Sequence, residues 1–429
     1  MKFREHDFLR NMQSFLGGRL VLAFTTLLIG VITARLLTPE NRGLYALFFT
    51  ICGLLVTLLH VGISPANVYY LNEKKREISE LLGNTLVYSV ISLLVLTITF
   101  TLFINFDLRG PFTNIDSQVI WMMALVVVFF TLVETSVSGL AYASDLYSFI
   151  SRALIFQSML LLLSVSAVFF IGEDLVYVLF YRVIAVSIYT IYFMYKFKRL
   201  VIFDGVKFSY STLKAQIKFG SKNWLQNIIG FLNVRCYILI LGFTSNPKVI
   251  GFFSVAWLFT EIIRFLPDTI GTMLLPSLTS KNSDTERTLF TIRALKLIFY
   301  STSLIALFLL LSFGFSIPVI FGTNYVASID IARILILGAT FGCIYQVLTR
   351  HFTSLAQQKY SLIAAFCGLL VGATGCVILA DLYGGVGAAI AFGLGSLVTA
   401  TVSLYFFCAS THTPFTEIFK INREDFSLT

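Results

Sequence analysis

Residues 81–105, LLGNTLVYSVISLLVLTITFTLFIN, run for twenty-five positions without one charged side chain. A helix rises about 1.5 Å per residue, so a bilayer core of about 30 Å needs roughly 20 apolar residues. This stretch is long enough to cross. A transmembrane barrel strand would need only about ten residues of sustained alternation, and the run Leu93–Phe103 opens on four consecutive apolar residues. The stretch reads as a membrane-spanning helix. Eleven more stretches of similar length and character follow from the same scan: 14–37, 43–66, 118–142, 151–171, 174–195, 219–243, 249–276, 289–313, 329–350, 361–380 and 385–408.

Composition agrees. Of 429 residues 57% are hydrophobic and 12% charged, with 43 Phe, against roughly a quarter charged in a soluble domain. Such a chain has too little charge to cover a water-exposed surface, so a soluble enzyme, a fibrous chain and a disordered one are excluded. The fold class expected is an all-α polytopic membrane protein. The net charge of +9 resides in short clusters between apolar runs, the pattern of loop anchoring and not of a nucleic-acid groove. All six cysteines lie in apolar stretches with no CxxC pair and read as small buried hydrophobes. The N-terminus is polar up to Asn11 and the first apolar run is too long for a signal-peptide core, so no cleavable leader is expected.

Loop charges orient the spans. With the N-terminus in the cytoplasm, 23 Lys and Arg fall on the inner side and five (Arg35, Arg42, Arg109, Lys248, Arg333) on the outer side. That asymmetry supports twelve helices with both termini inside. The longest polar interval, Lys196–Lys218, is strongly basic and reads as the junction of two six-helix halves: an N-terminal lobe, 1–200; a cytoplasmic linker, 201–218; and a C-terminal lobe, 219–429. Within it, Leu213 and Ile217 at helical spacing beside Lys214 and Lys218 fit a short interfacial helix. A solvated basic loop fits equally.

The halves repeat. Pro39-Glu-Asn-Arg-Gly43-Leu-Tyr45 follows the first span and Pro247-Lys-Val-Ile-Gly251-Phe-Phe253 the seventh, offset by 208 positions; Tyr147-Ser-Phe-Ile150 and Tyr360-Ser-Leu-Ile363 precede the fifth and eleventh, offset by 213. Both pairs face the same side of the membrane, so the lobes are expected to be related by a parallel pseudo-two-fold repeat with a substrate path between them.

Catalytic signatures are absent. The four histidines form no HxxxH pair, no phosphate-binding GxxxxGK[ST] loop occurs, and no outer loop is large enough for a ligase or transferase site. No catalytic residue, cofactor or metal site is expected. The informative residues are ionisable ones at membrane depth, where a charge costs about 3 kcal/mol on insertion scales. Arg235 lies midway through the seventh span, and Glu261, Arg264 and Asp268 share one face of the eighth at spacings of three and four. Arg182 is in the sixth span, Glu134 in the fourth, and Arg19 stands beside Gly17 and Gly18 in the first. Arginines lining water at this depth would hold phosphate through planar, multi-donor hydrogen bonds. The competing reading is an internal Glu261–Arg264 ion pair. Arg35 and Arg42 read as interfacial residues snorkelling to the surface. Pro65, Pro267 and Pro276 would bend or break their helices, and Gly368, Gly372 and Gly375 would let helices pack closely.

"TARLLTPENRGLYAL" (Thr33–Leu47) and "SLAQQKYSLIAA" (Ser354–Ala365) resemble the first–second and tenth–eleventh span junctions of polysaccharide flippases in the multidrug/oligosaccharidyl-lipid/polysaccharide exporter superfamily. Length, span number and repeat agree over essentially the whole chain. The resemblance implies a flippase of the bacterial plasma (inner) membrane that turns an undecaprenyl-diphosphate-linked oligosaccharide, an O-antigen or capsular repeat unit, to the outer leaflet by alternating access. It implies a cationic cavity, which Arg235, Arg264, Arg19 and Arg182 match as substrate contacts by chemistry and depth and not by a family motif, with an inner-edge anchor the other reading of Arg19. It also implies a proton or sodium coupling site, for which Glu134, Glu261 and Asp268 are the candidates. Partners implied are the lipid-linked oligosaccharide, membrane lipids, a glycan polymerase and a chain-length regulator, with no nucleic acid. The runner-up is a cation-coupled multidrug antiporter of the same superfamily, against which the excess of deep arginine over acid argues. A membrane glycan polymerase would need a larger outer loop.

Overall fold

A computed structural model describes residues 5–105, 118–170, 174–201, 205–279 and 283–420; Arg109, one of the outer-side charges, lies outside them. Among the described residues every regular element is helical: α1 (Glu5–Leu36), α2 (Pro39–His60), α3 (Ile63–Asn72), α4 (Ile78–Asn105), α5 (Gln118–Ala143), α6 (Tyr147–Ser166), α7 (Leu175–Leu200), α8 (Tyr210–Thr244), α9 (Pro247–Thr279), α10 (Asp284–Phe321), α11 (Ser328–Ser354), α12 (Gln358–Thr411) and α13 (Phe415–Phe419). Helices win because a backbone in hydrocarbon has no water to bond, and a helix satisfies its own amides.

Among the described residues eleven stretches are long and apolar enough to cross a membrane. One is the 54-residue α12, which as a straight rod would be about 80 Å long. Gly384 breaks it with φ 56°, ψ −130°, a conformation that glycine adopts without steric cost. Its two arms are separate spans, which makes twelve, at the positions read as 361–380 and 385–408.

The sequence repeat is a repeat of turns. Thr38 Oγ1 accepts the Asn41 amide at 3.3 Å and Asn246 Oδ1 accepts the Val249 amide at 3.0 Å, each capping a helix whose first residue is proline. At the other junction the equivalence differs from the Tyr147/Tyr360 match. Asp145 and Ala356 both have left-handed backbones (φ 57° and 55°). The next amides, Leu146 and Gln357, reach back five residues to the Ala141 and Phe352 carbonyls at 3.1 and 2.8 Å. Tyr147 thus corresponds to Gln358, each opening a helix, and the Tyr-Ser pairs are displaced by two positions.

Pro65 does not end the second span. The break falls at Val61 and Gly62, both left-handed, and Pro65 sits in the first turn of α3, where a missing N–H costs nothing. Pro267 likewise lies inside a continuous α9.

Contacts divide the chain into two compact units, Met1–Ile228 and Ile229–Thr429. In the first, α5 packs against α2, α3, α4 and α7 around Leu81, Val137, Leu140, Phe149, Tyr189 and Phe193. In the second, α11 is the central helix, against α9, α10 and α12. The division falls within α8, which is continuous from Tyr210; there is no separate interfacial helix. Its first turns are built into the first unit through side chains that are fully buried. Gln216 donates to Asn67 Oδ1 at 2.6 Å and accepts from Asn84 Nδ2 at 3.1 Å, while Asn67 Nδ2 donates to Thr85 Oγ1 and the Ser136 carbonyl. Phe219 stacks on Tyr69 at 4.3 Å. The Trp224 indole donates to the carbonyls of Thr57 and Leu58, and the Tyr88 hydroxyl to that of Leu59, closing backbone groups that the end of α2 leaves open. Ahead of α8, Lys207 Nζ meets Glu77 Oε2 at 2.9 Å. Hydrogen bonds from Lys207 and Ser79, with the Lys207 charge, hold the exposed Glu77 carboxyl below its usual range.

Replacing Gln216 by Leu keeps the volume but strands Asn67 Oδ1 and Asn84 Nδ2. At about 1–3 kcal/mol for each stranded polar group, the purified Gln216→Leu protein should unfold at a clearly lower temperature than wild type. An unchanged midpoint would mean that the amide cluster does not hold α8 in place.

Candidate functional site

Most of the deep charged residues fall into a cluster in each unit, and Arg182 stands apart. In the second unit, Arg235 from α8 meets α9. Its Nη2 lies 3.5 Å from Glu261 Oε1, and the same oxygen accepts the Trp257 indole N–H at 2.9 Å. Trp257 is buried, stacked on Phe253 and edge-on to Phe392 at 5.0 Å, so the carboxylate is fixed by a side chain that cannot move freely. The ion pair therefore joins Glu261 to Arg235 on the neighbouring helix, not to Arg264 on its own. Arg264, one turn on, places its charge close enough to act on Arg235. Three ionisable groups converge here with a net charge of +1.

This cluster is not a sealed core pair. The Arg235 and Glu261 side chains keep 37% and 40% of their surface open. At mid-span such openness toward hydrocarbon would cost several kcal/mol; toward water or an anionic ligand it costs little. Asp268, a further turn along α9, is exposed. Arg350, near the end of α11, reaches α9 at Gly271, where an added Cβ would lie 3.1 Å from its Nε. Close helix contact at that glycine leaves room for the guanidinium.

In the first unit Glu134 of α5 accepts the Tyr189 hydroxyl of α7 at 3.4 Å. Tyr142 lies within electrostatic reach of both Glu134 and Arg19. Arg19 is exposed on α1, one residue past Gly18, where a Cβ would be 2.8 Å from Ser151 Oγ of α6; only a glycine lets these helices come so close. Arg182 of α7 lies apart from that group, its guanidinium 5.0 Å from the centre of the Phe49 ring of α2.

Two residues read differently from the sequence. Arg42 does not snorkel: it is only 5% exposed, with its guanidinium 5.1 Å from the Tyr45 ring centre. Trp257 was no candidate at all, although its place four residues before Glu261 on one helix face is the signal that could have found it. Of the histidines, His60 Nε2 accepts the Ser64 amide and His351 Nδ1 pairs with Thr291 Oγ1 at 2.8 Å, both structural contacts. Among the described residues no three His, Cys, Asp or Glu side chains converge as a metal ion would need.

A family model described as polysaccharide biosynthesis protein matches residues 8–281. No curated protein matches the chain. Among solved structures, the lipid II flippase MurJ in an inward closed conformation superposes with a TM-score of 0.79 at 14% identity, over 94% of this chain and 88% of that one. An inward-facing multidrug resistance transporter of the MATE family in the MOP superfamily gives 0.72 at 16% identity, over 91% and 94%. A MOP superfamily transporter from Pyrococcus furiosus, described as having a binding pocket of reverse polarity, gives 0.59 at 16%, over 96% of each chain. At such identities the likeness is one of fold.

The Arg235–Glu261 contact predicts non-additivity. Arg235→Met and Glu261→Met should each lower thermal stability by stranding the partner charge. The double variant should recover part of the loss, with a coupling of about 0.5–3 kcal/mol. Strict additivity in a thermal unfolding cycle would show that the two side chains do not interact.

Proposed function

This chain belongs to the polysaccharide biosynthesis protein family, and from that premise we propose that it is a flippase for an undecaprenyl-diphosphate-linked oligosaccharide, an O-antigen or capsular repeat unit. The protein is a multi-pass membrane transporter and not an enzyme. The observation that carries the substrate reading is the cluster of Arg235 and Arg264 around the single carboxylate of Glu261. Two guanidiniums and one carboxylate, open at mid-span, attract an anion and repel a cationic drug. A diphosphate offers the many oxygen acceptors that the planar donor fork of arginine binds best. The likeness in fold to a lipid II flippase supports a lipid-linked cargo.

In this reading Glu261, held by Trp257, sets the position of Arg235 while Arg264 meets the headgroup. Arg19 is a separate candidate phosphate contact within the first unit. Glu134, against the Tyr189 hydroxyl, is the candidate in the first unit for a coupling proton or sodium ion, and Asp268 and Glu261 are the candidates in the second. The bias of 23 basic residues against five supports both termini in the cytoplasm, and the flippase reading puts the protein in a bacterial inner membrane. A glycan polymerase and a chain-length regulator are the partners that would act on the flipped unit.

The test is complementation of a strain that lacks the gene. Wild type should restore long-chain surface glycan on a gel. Arg264→Ala, at normal protein level, should leave the lipid-linked precursor inside, and Arg264→Lys should restore export in part, because lysine keeps the charge but not the fork of donors. Unchanged surface glycan with raised drug sensitivity in the null strain would make the protein a multidrug antiporter instead.

A further inference from the structure

In the first unit, the turn between α3 and α4 and the segment that leads into α8 enclose a cavity of about 420 Å³, lined among others by Lys75, Arg76, Glu77, Glu80, Lys207 and Phe208. It lies at a membrane boundary: one apolar span ends at Asn72 and the next begins at Ile78. None of these residues belongs to the deep clusters described above. The wall is fixed. The Lys207 amide donates to the Ser79 carbonyl at 3.1 Å and the Ser209 amide to Asn84 Oδ1 at 2.9 Å, and a Cβ at Gly83 would collide with the Lys207 carbonyl.

Both carboxylates at the cavity are engaged. Glu77 accepts from Lys207 Nζ at 2.9 Å and from Ser79 Oγ at 3.0 Å, and Glu80 accepts from Thr212 Oγ1 at 2.6 Å. Arg76 meets Glu80 at 3.9 Å with half of its side chain open, a pair loose enough for a ligand to share. The Lys75 ammonium has no ionic or hydrogen-bond partner among the described residues. Three cations thus face two carboxylates, and the surplus charge is that of Lys75. Beside the opening, Val206, Phe208 and Tyr210 are each more than half exposed. A surplus cation next to apolar side chains at a span boundary matches a lipid, whose phosphate meets the charge while its first acyl carbons meet the rim. A soluble anion would leave the apolar rim unused.

We propose that this cavity binds the headgroup of an anionic phospholipid, with Lys75 and Arg76 on its phosphate and Phe208 against its glycerol and first acyl carbons. The assignment to the inner leaflet rests on the orientation proposed above; the binding itself depends neither on that orientation nor on the cargo.

The full-length protein in a maltoside detergent, titrated with phosphatidylglycerol and read by native mass spectrometry, tests this. Lys75 has a left-handed backbone, φ 49°, which glycine adopts without steric cost, so Lys75→Gly removes the ammonium and keeps the turn. It should weaken binding about fivefold, the effect of one basic residue at an anionic lipid surface. Lys75→Arg should stay within about twofold of wild type, and Lys75→Gly with Arg76→Gln should weaken binding roughly twentyfold. Wild-type affinity in Lys75→Gly, or equal binding of zwitterionic phosphatidylethanolamine, would overturn the proposal. Displacement of the lipid by an equal concentration of glycerol phosphate would also overturn it and make the cavity a site for soluble anions. Arg264→Gln in the same titration keeps this site apart from the flippase reading. Loss there with wild-type affinity in Lys75→Gly would place the lipid at the deep cluster and remove it from this cavity. Weakening by Lys75→Gly supports the cavity whatever Arg264→Gln does, and leaves the flippase reading to complementation.

Discussion

Inside a membrane no water completes a hydrogen bond that the protein leaves open, and this constraint organises the molecule from backbone to site. It makes every described element a helix. It also explains what happens where helices must end at depth. The carbonyls of Thr57, Leu58 and Leu59, released where α2 breaks at Val61 and Gly62, are taken up by the Trp224 indole and the Tyr88 hydroxyl. Serine and threonine along the spans return their hydroxyls to carbonyls one turn back, as Thr85 does to Leu81 and Thr302 to Ile298. The amides of Asn67, Asn84 and Gln216 close on one another. At each of these places the buried polar group is retained because it is paired.

The same constraint decides what could be read from the sequence. Span positions were legible because length and hydropathy alone specify a crossing, and the two proline-capped turns were legible because the cap and the proline are adjacent in the chain. Contacts between distant residues were not. Gln216 sits among lysines in a stretch that reads as solvated, and nothing local reveals that Asn67 and Asn84 wait for it. For the same reason the start of α8 looked like an interfacial helix: Lys214 and Lys218 mark its outer face, whereas its inner face is defined by the partner it meets. Arg42 was misplaced because proximity to a span boundary resembles snorkelling, while the Tyr45 ring that covers it becomes visible only once the helix has turned.

The candidate site shows a further limit of sequence reading. Deep charges announce themselves by rarity, so Arg235, Glu261 and Arg264 stood out. Their pairing did not follow from spacing. The i, i+3 relation of Glu261 to Arg264 offers a pair within one helix, yet the contact formed is between helices. Trp257 accounts for the choice. Its indole proton occupies the side of Oε1 it faces and turns the carboxylate toward α8, where Arg235 is the cation in reach.

Holding an arginine with a carboxylate and holding one with a ring have different consequences for an anionic ligand. Glu261 lowers the cost of keeping Arg235 at depth, but it also claims part of that guanidinium, so an arriving phosphate must compete with it while Arg264 attracts. In the proposed site such an arrangement would bind without trapping, because the carboxylate is ready to take the guanidinium back when the ligand leaves. Phe49 makes no such claim on Arg182: the ring face meets the flat of the guanidinium and takes none of its N–H donors. One arginine is held by an opposite charge and the other by a ring face. The difference follows from a single choice of neighbour, an acid four residues from a tryptophan in one unit and a phenylalanine seven residues from an arginine in the other.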